Sequence, residues 1–188
     1  GNNVIALMGD LTDADVVASI VENAAARLGG LDILVTNAGG PPAGTFDRFS
    51  DADWEAAFNL TLMSAVRLIR GALPSMRARG GGAIVAMTSS SIKQPIPNLI
   101  LSNVMRAGVA ALCKTLADEL APDGIRVNVA VPGQIAAPRI EQLDRANAER
   151  AGVDVAEIRR RAVAQIPLGR LGAPEELAAG GIFLASGA

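Results

Sequence analysis

The chain has 188 residues, of which 50% are hydrophobic, 3% aromatic and 19% charged, and its formal net charge is −2. This length suits a single domain with a sizeable core. The near-neutral net charge gives no electrostatic reason to bind nucleic acid. The sequence has no run of about 18 apolar residues, so no membrane span is predicted. The sequence contains no His, no Tyr and one Cys, Cys113. A Ser-His-Asp triad, a Cys-His pair and a His/Cys metal site are therefore excluded, and we expect a cytoplasmic protein without metal.

Four short apolar runs predict strands that are buried on both faces, as in a parallel sheet covered by helices. They are residues 4–8, 31–36, 83–87 and 126–131. Helical patterns separate them, over residues 14–28, 51–78 and 102–120. Asp10, Thr12 and Asp13 offer N-cap chemistry to the first helix, and Gly29 follows its end. Ser50 is placed to cap the second helix.

After Pro132 and Gly133 the pattern loosens into a polar stretch, residues 134–165, that predicts one or two helices and a lid over the carboxyl edge of the sheet. A last helix is expected to begin at Pro174. Alternating strands and helices with short connections predict a doubly wound, Rossmann-like α/β fold over one domain, residues 1–188.

Five segments in this order resemble the short-chain dehydrogenase/reductase family, and the similarity covers essentially the whole chain. The segments are Asp10-Leu11, Asn37-Ala38-Gly39, Thr88-Ser89-Ser90, Val131-Pro132-Gly133 and the run from Arg170 to Glu176. From the residues alone, simpler interpretations stay open. Asp10 suits a helix cap, residues 37–42 suit a turn, and Pro132-Gly133 suits a strand terminator.

The resemblance implies NAD or NADP as cofactor. Asp10 would then accept a hydrogen bond from the adenine amine, and Leu11 would present its backbone to the ring. Asn37 would stabilise the sheet, and Ala38 and Gly39 would let the backbone approach the adenosine ribose. The residues along the nicotinamide would be Pro132, Gly133 and Ile135.

The chain differs from the family pattern at its ends. Its first predicted strand resembles the family's third, so the first two strands, with their Gly-rich phosphate loop, and the final strand are expected to be missing. We therefore expect an incomplete fold from a longer protein. In the family's strand order another strand lies between residues 4–8 and residues 31–36, so these two segments are not expected to pair.

The catalytic positions also differ. The family uses an Asn, a Ser, and a Tyr and a Lys four residues apart. The matching positions here are Thr61, Ser89, Ser102 and Arg106, so only Ser89 is retained. Arg106 keeps a cation that suits a ribose hydroxyl, whereas a Ser hydroxyl is a far weaker acid than a phenol. Lys93 is a candidate replacement acid if it is buried, and otherwise a solvated loop lysine.

The resemblance implies an oxidoreductase that acts on a carbonyl or secondary alcohol, with 3-oxoacyl thioesters among its candidate substrates. The alternative is a catalytically inactive family member that serves as a ligand-binding or subunit-partner protein. A third interpretation is that the chain alone lacks activity because its cofactor site is incomplete. Because helices 51–78 and 102–120 are apolar on several faces, they predict a homo-oligomer, or else helices buried within a larger domain.

Overall fold

The computed structural model describes residues 4–187 and contains seven α-helices and three strands within them. They are α1 (Ala14–Leu28), β1 (Ile33–Thr36), α2 (Asp51–Ala57), α3 (Ser64–Ala78), β2 (Gly82–Met87), α4 (Ile100–Glu119), β3 (Ile125–Ala130), α5 (Pro138–Ala151), α6 (Val155–Ala164) and α7 (Pro174–Ala185). The chain divides into two compact units, residues 4–131 with 184–187, and residues 132–183. The expectation of one domain stays a prediction.

The three strands form one parallel sheet in the order β1-β2-β3. Val35 pairs with Val85, and Val85 with Asn128. The central strand β2 is apolar because both of its faces are covered, and Ile84, Val85 and Ala86 are fully buried. Parallel strands joined through helices confirm the predicted Rossmann-like α/β class.

Residues 4–8 are not a strand, so that prediction was wrong. Val4 is 88% exposed and Met8 is 96% exposed. An apolar run becomes a strand only where a neighbouring backbone completes its hydrogen bonds. Within residues 4–187 the sheet ends at β1, and residues 4–8 pair with none of its strands.

The predicted helix caps are confirmed at both ends of α1. The Asp13 side chain accepts hydrogen bonds from Asp15 N and Val16 N, and Gly29 ends the helix in the left-handed region with φ 75°. Ser50 caps α2 in a capping box with Asp53. Residues 51–78 form one helical run, but a π-helical segment, Phe58–Met63, separates α2 from α3.

The core lies between the sheet and the helices α3 and α4. One buried cluster joins Ile69 and Met76 of α3 to Ile84 of β2 and Ile125 of β3. A second cluster joins Ala65, Ala86, Val109 and Cys113. These contacts fix α3 and α4 against the strands whose carboxyl ends carry the candidate site.

Helix α4 is long and apolar enough to span a membrane by length and composition alone. In this fold it packs against β3 and β2, as a helix of an α/β domain does. The core helix of a soluble protein meets the same length and hydropathy criterion.

The second unit contains the two helices predicted within residues 134–165. The buried Asp144 of α5 forms an ion pair with Arg159 of α6, with 2.5 Å between Oδ2 and Nε. Gly152 ends α5 in the left-handed region, with φ 63°. The ion pair therefore holds α5 and α6 together as a helical hairpin. The function of this hairpin as a lid stays a prediction.

Candidate active site

A small cavity lies where the carboxyl ends of β1 and β2 meet α3, α4 and the π segment. Its volume is about 10 Å³, which is room for roughly one water molecule. Two of the four predicted catalytic positions, Thr61 and Arg106, line it together with Ala38 from the segment after β1. The fold thus brings together three predicted site residues that lie far apart in the sequence.

Thr61 lies within the π segment and is 3% exposed. Its Oγ1 is buried without a hydrogen-bond partner, an arrangement that costs free energy unless a bound group satisfies the hydroxyl. The nearby Asn59 is committed elsewhere, since its Nδ2 donates to Glu55 O at 3.1 Å and its Oδ1 accepts from Arg67. Thr61, predicted at the family's Asn position, lines the cavity, whereas Asn59 is not among the lining residues.

Arg106 projects from α4 to the end of β2. Its Nη1 donates to the backbone oxygen of Met87 at 3.2 Å. This contact holds a permanent positive charge at the strand end, one residue before Thr88 and two before Ser89. A guanidinium at this position can attract a hydroxyl or a developing negative charge, but it does not exchange a proton at neutral pH.

Ser89 follows β2 in an extended conformation and begins a 3₁₀ turn, Ser90–Ile92. Its Oγ accepts a hydrogen bond from Ser91 N at 3.1 Å. Since a hydroxyl has one donor and two acceptor sites, this leaves the Ser89 proton to donate to a substrate oxygen. Ser91 Oγ is buried without a hydrogen-bond partner, and sequence analysis missed this residue although it stands in the same serine run.

Ser102 lies in the first turns of α4 and is 7% exposed. It precedes Arg106 by one helical turn, so the two side chains share a helix face. The serine lacks the aromatic ring that carries the family's phenol to the substrate.

Asp10 lies on the turn that precedes α1 and is exposed. Its Oδ1 accepts hydrogen bonds from Thr12 N and Thr12 Oγ1, both at 2.8 Å. The backbone and side-chain hydrogen bonds from Thr12 lower the pKa of Asp10 below its usual 3.8. The carboxylate is ionised at neutral pH and retains acceptor sites for an amine, and the half-buried Leu11 adjoins it.

The segment after β1 leaves its backbone open. Asn37 and Gly39 are exposed, and a Cβ added at Gly39 would meet no atom within 4 Å. Ala38, between them, reaches the cavity beside Thr61 and Arg106. The accessible backbone around Gly39 therefore adjoins the catalytic positions.

Pro132, Gly133 and Ile135 belong to the second unit. There Ile135 forms a parallel bridge with Gly172, and Ala136 N donates to Gly172 O at 2.8 Å. A Cβ at Gly172 would lie 2.7 Å from Ile135 Cδ1, so this glycine permits the close packing of the segment. The role of these three residues along a nicotinamide stays a prediction.

Lys93 and Cys113 lie in environments that do not suit acid–base or nucleophilic chemistry. Lys93 is exposed, so the burial required of a replacement acid is absent. Cys113 is buried, and desolvation raises the pKa of its thiol to about 11, as expected for a small core residue. Residues 4–187 contain no group of three His, Cys, Asp or Glu placed to hold a metal ion.

The donors and acceptors of the first unit fit a nicotinamide dinucleotide. Asp10 supplies an ionised acceptor for an adenine amine, the backbone at Gly39 is open to a ribose, and Arg106 supplies a cation. The buried, unsatisfied hydroxyl of Thr61 adjoins this backbone and requires a polar partner.

Comparison with known proteins agrees with this chemistry. Residues 1–188 match the family model described as enoyl-(acyl carrier protein) reductase. The chain is 35% identical over 177 residues to the 3-oxoacyl-[acyl-carrier-protein] reductase of Thermotoga maritima, covering 94% of this chain and 68% of that protein. It is 34% identical over 189 residues to a cis-4-hydroxycyclohexanecarboxylate dehydrogenase of Sinomonas cyclohexanicum, covering 100% and 72%.

A solved structure shows the same fold. L-Sorbose reductase from Gluconobacter frateurii, complexed with NADPH and L-sorbose, superposes with a TM-score of 0.87 at 37% identity, over 95% of this chain and 68% of that one. The chain therefore belongs to the short-chain dehydrogenase/reductase family. It is by that membership an NAD(P)-dependent oxidoreductase, as the resemblance of its motifs implies.

Proposed function

We propose that this chain interconverts a small-molecule carbonyl compound and the corresponding secondary alcohol with an altered catalytic set of Thr61, Ser89, Ser102 and Arg106. The observation that carries the proposal is the geometry at Ser89. Its Oγ accepts a hydrogen bond from Ser91 N at the end of β2, which leaves its proton available to donate to a substrate oxygen. Ser89 retains the residue type found at this position in the family.

The cofactor in this proposal is NAD or NADP, whose nicotinamide, when bound, supplies or accepts the hydride. Asp10 and Leu11 would hold the adenine, and the backbone of residues 37–39 would pass beside the ribose. Arg106 supplies a cation for a ribose hydroxyl. By the family resemblance, Pro132, Gly133 and Ile135 would lie along the nicotinamide.

Proton transfer in this site differs from that of a phenol. During reduction the carbonyl carbon gains a hydride, and its oxygen, oriented by Ser89, gains a proton. We assign delivery of that proton to a water molecule held by Ser102, because the serine is too short to reach the substrate oxygen itself. Bulk solvent reprotonates the hydroxide that is left and so supplies the net proton. The permanent charge of Arg106 stabilises the negative charge that develops on the oxygen.

The substrate class follows from what the named relatives share. Their names specify a 3-oxoacyl group on a carrier protein, a hydroxylated cyclohexane acid and a ketose sugar. Each contains a ketone or an alcohol, while size and charge differ. We propose a carbonyl or secondary alcohol for this chain, with 3-oxoacyl thioesters among the compounds to test.

The first experiment is a titration of NADH and NADPH into the protein at its full natural length, followed by nicotinamide fluorescence. Binding, and then turnover of at least one compound from a panel of ketones and 3-oxoacyl thioesters, is the expected result. Failure to bind either dinucleotide would overturn the proposal.

A second candidate is a family member that binds a dinucleotide or a subunit without turnover. It is favoured by the replacement of three of the four catalytic residues and by the contact of Arg106 with Met87 O. Tight dinucleotide binding with no hydride transfer to any panel member, even in single-turnover conditions, would identify this function.

We further propose a homo-oligomer that assembles through helices 51–78 and 102–120. Apolar side chains remain accessible on both, since Phe58 is 40% exposed and Val104 is 48% exposed. Light scattering should give a mass of at least two chains, and Val104→Asp should lower it. A monomer at working concentration would contradict this proposal.

We place the protein in the cytoplasm, acting on a small molecule without a nucleic-acid or membrane partner. The buried thiol of Cys113 suits a reducing compartment, and the net charge of −2 does not favour a polyanion.

A further inference from the structure

The turn formed by residues 10–13, here called the Asp10 turn, is held together by its own hydrogen bonds. Asp10 Oδ1 accepts from Thr12 N and Thr12 Oγ1, and Asp13 N donates to Asp10 O at 3.2 Å. Asp13 then caps α1 through Asp15 N and Val16 N. The turn therefore has a defined internal shape, but these bonds do not connect it to the sheet.

The segment before the turn gives it little support. Residues 4–8 lie outside the sheet, and Val4 and Met8 are almost fully exposed. The three atoms nearest to a Cβ added at Gly9 belong to Val16 and Ile20 of α1. A turn supported on one side needs a second attachment if its side chains are to keep a fixed position.

Arg67 of α3 supplies that attachment. Its Nη1 donates to Thr12 O at 2.8 Å, and its Nη2 donates to Asn59 Oδ1 at 3.3 Å. Asn59 is itself held by the bond from its Nδ2 to Glu55 O at 3.1 Å. A planar guanidinium that bonds in two directions thus links the Asp10 turn to the helix that also contains Thr61.

The backbone oxygen of Thr12, which accepts the hydrogen bond from Arg67, belongs to the residue that holds the Asp10 carboxylate. Thr12 N and Oγ1 hold the Asp10 carboxylate, and Thr12 O is the oxygen that Arg67 holds, so one residue connects the arginine to the carboxylate. Displacement of Thr12 would move both Asp10 and the backbone of Leu11. Loss of the Arg67 contact would therefore loosen the support of two predicted adenine contacts, Asp10 and Leu11.

We propose that Arg67 is a positioning residue for dinucleotide binding, which fixes the Asp10 turn so that Asp10 and Leu11 meet the adenine. This inference rests on the proposed function, since it assumes that the turn binds the adenine half of NAD or NADP. Arg67 would act on that half of the cofactor and not on the nicotinamide half.

The test compares Arg67→Met and Arg67→Lys with Arg70→Met, a matched loss of charge at an exposed arginine on the same helix. Each variant is titrated with whichever of NADH and NADPH binds the wild type, and with reduced nicotinamide mononucleotide in competition with it. Arg67→Met should weaken dinucleotide binding roughly fivefold, because it loses a charge-assisted hydrogen bond. It should leave mononucleotide binding unchanged, Arg67→Lys should restore part of the affinity, and Arg70→Met should match the wild type.

Hydrogen exchange provides a second readout. In Arg67→Met without ligand, the amides of residues 11–13 should exchange several-fold faster while those in the centre of α1 keep their rates. Equal weakening of both ligands, or unchanged dinucleotide affinity, would overturn the inference while leaving the proposed function intact. If the wild type binds neither dinucleotide, both proposals are wrong, and the wild-type titration shows that the proposed function failed first.

Discussion

The Asp10 turn and the catalytic positions differ in how much of the family's chemistry they retain. At the turn, Asp10 remains an ionised acceptor, because hydrogen bonds from Thr12 lower its pKa. At the catalytic positions, Thr61, Ser102 and Arg106 replace an amide, a phenol and an amine. The fold still brings Thr61 and Arg106 to one cavity. The proposed cofactor contacts and the proposed proton-transfer positions therefore lie on different segments, and substitutions can test them separately.

The largest expected effect is on Ser89. Ser89→Ala removes the hydroxyl that orients the substrate oxygen and should lower kcat by about 100-fold with the dinucleotide Kd unchanged. Steady-state kinetics and a fluorescence titration measure the two quantities. Ser90→Ala, at an exposed neighbour, is the control and should behave as the wild type. Unchanged turnover in Ser89→Ala would remove this residue from the proton chemistry.

Substitutions at Gly39 and Gly9 are expected to affect different properties, the dinucleotide Kd for Gly39 and the free energy of unfolding for Gly9. Gly39→Ala places a methyl group where nothing lies within 4 Å, so the free energy of unfolding should stay the same while the dinucleotide Kd rises about tenfold. Gly9→Ala should act on the stability instead, because its Cβ would lie 2.4 Å from Val16 Cγ1 and must displace it. We expect it to lower the free energy of unfolding by about 1 to 3 kcal/mol. Denaturant unfolding and fluorescence titration of both variants check this, and equal effects of the two would contradict it.

The charge of Asp10 gives a pH prediction. Hydrogen bonds from Thr12 lower the pKa of Asp10 below 3.8, so the carboxylate stays ionised from pH 8 to pH 5.5. NAD⁺ affinity should therefore be constant over this range in calorimetry, and Asp10→Asn should reduce it about threefold at both pH values. A loss of affinity on acidification in the wild type, absent from Asp10→Asn, would show that the carboxylate titrates in that range.

The smallest effect is expected at the ion pair before α7, remote from both regions in sequence. Arg170 and Ala173 N hydrogen-bond the Glu176 carboxylate and lower its pKa to about 2. The stabilisation is therefore present above pH 4.5 and is lost as the pH falls from 4.5 toward 2. Glu176→Gln should lower Tm by about 1 to 2 °C at pH 6, and the difference should vanish near pH 2. Glu175→Gln is the matched control, and a pH-independent difference would contradict the assignment.

Local chemistry predicted much of the fold. Asp13, Gly29 and Ser50 were recognisable as caps because the groups that they satisfy lie within a few residues of each. Buried strands such as β2 were recognisable as apolar runs. Residues 4–8 show the same apolar pattern without forming a strand, because pairing depends on a neighbouring backbone that the pattern does not contain.

The candidate site was predictable only where motifs mark it. Family motifs indicated Ser89, Ser102 and Arg106, and the spacing indicated Thr61. The π segment was not predictable, since Phe58–Met63 has ordinary helical composition. The bond from Arg67 to Thr12 O joins residues 55 positions apart and depends on how α1 packs against α3. No local signal in the sequence indicates such a contact.

The buried Cys113 offers an intrinsic probe of motion. It lies between α4 and the sheet, in the cluster with Ala65, Ala86 and Val109, and its thiol has a pKa of about 11. The thiolate is the form that attacks an alkylating reagent, so labelling of this buried thiol at neutral pH requires α4 to separate from the strands first. The rate of alkylation would therefore measure how often the helix that carries Ser102 and Arg106 leaves the sheet, and a bound dinucleotide should slow it.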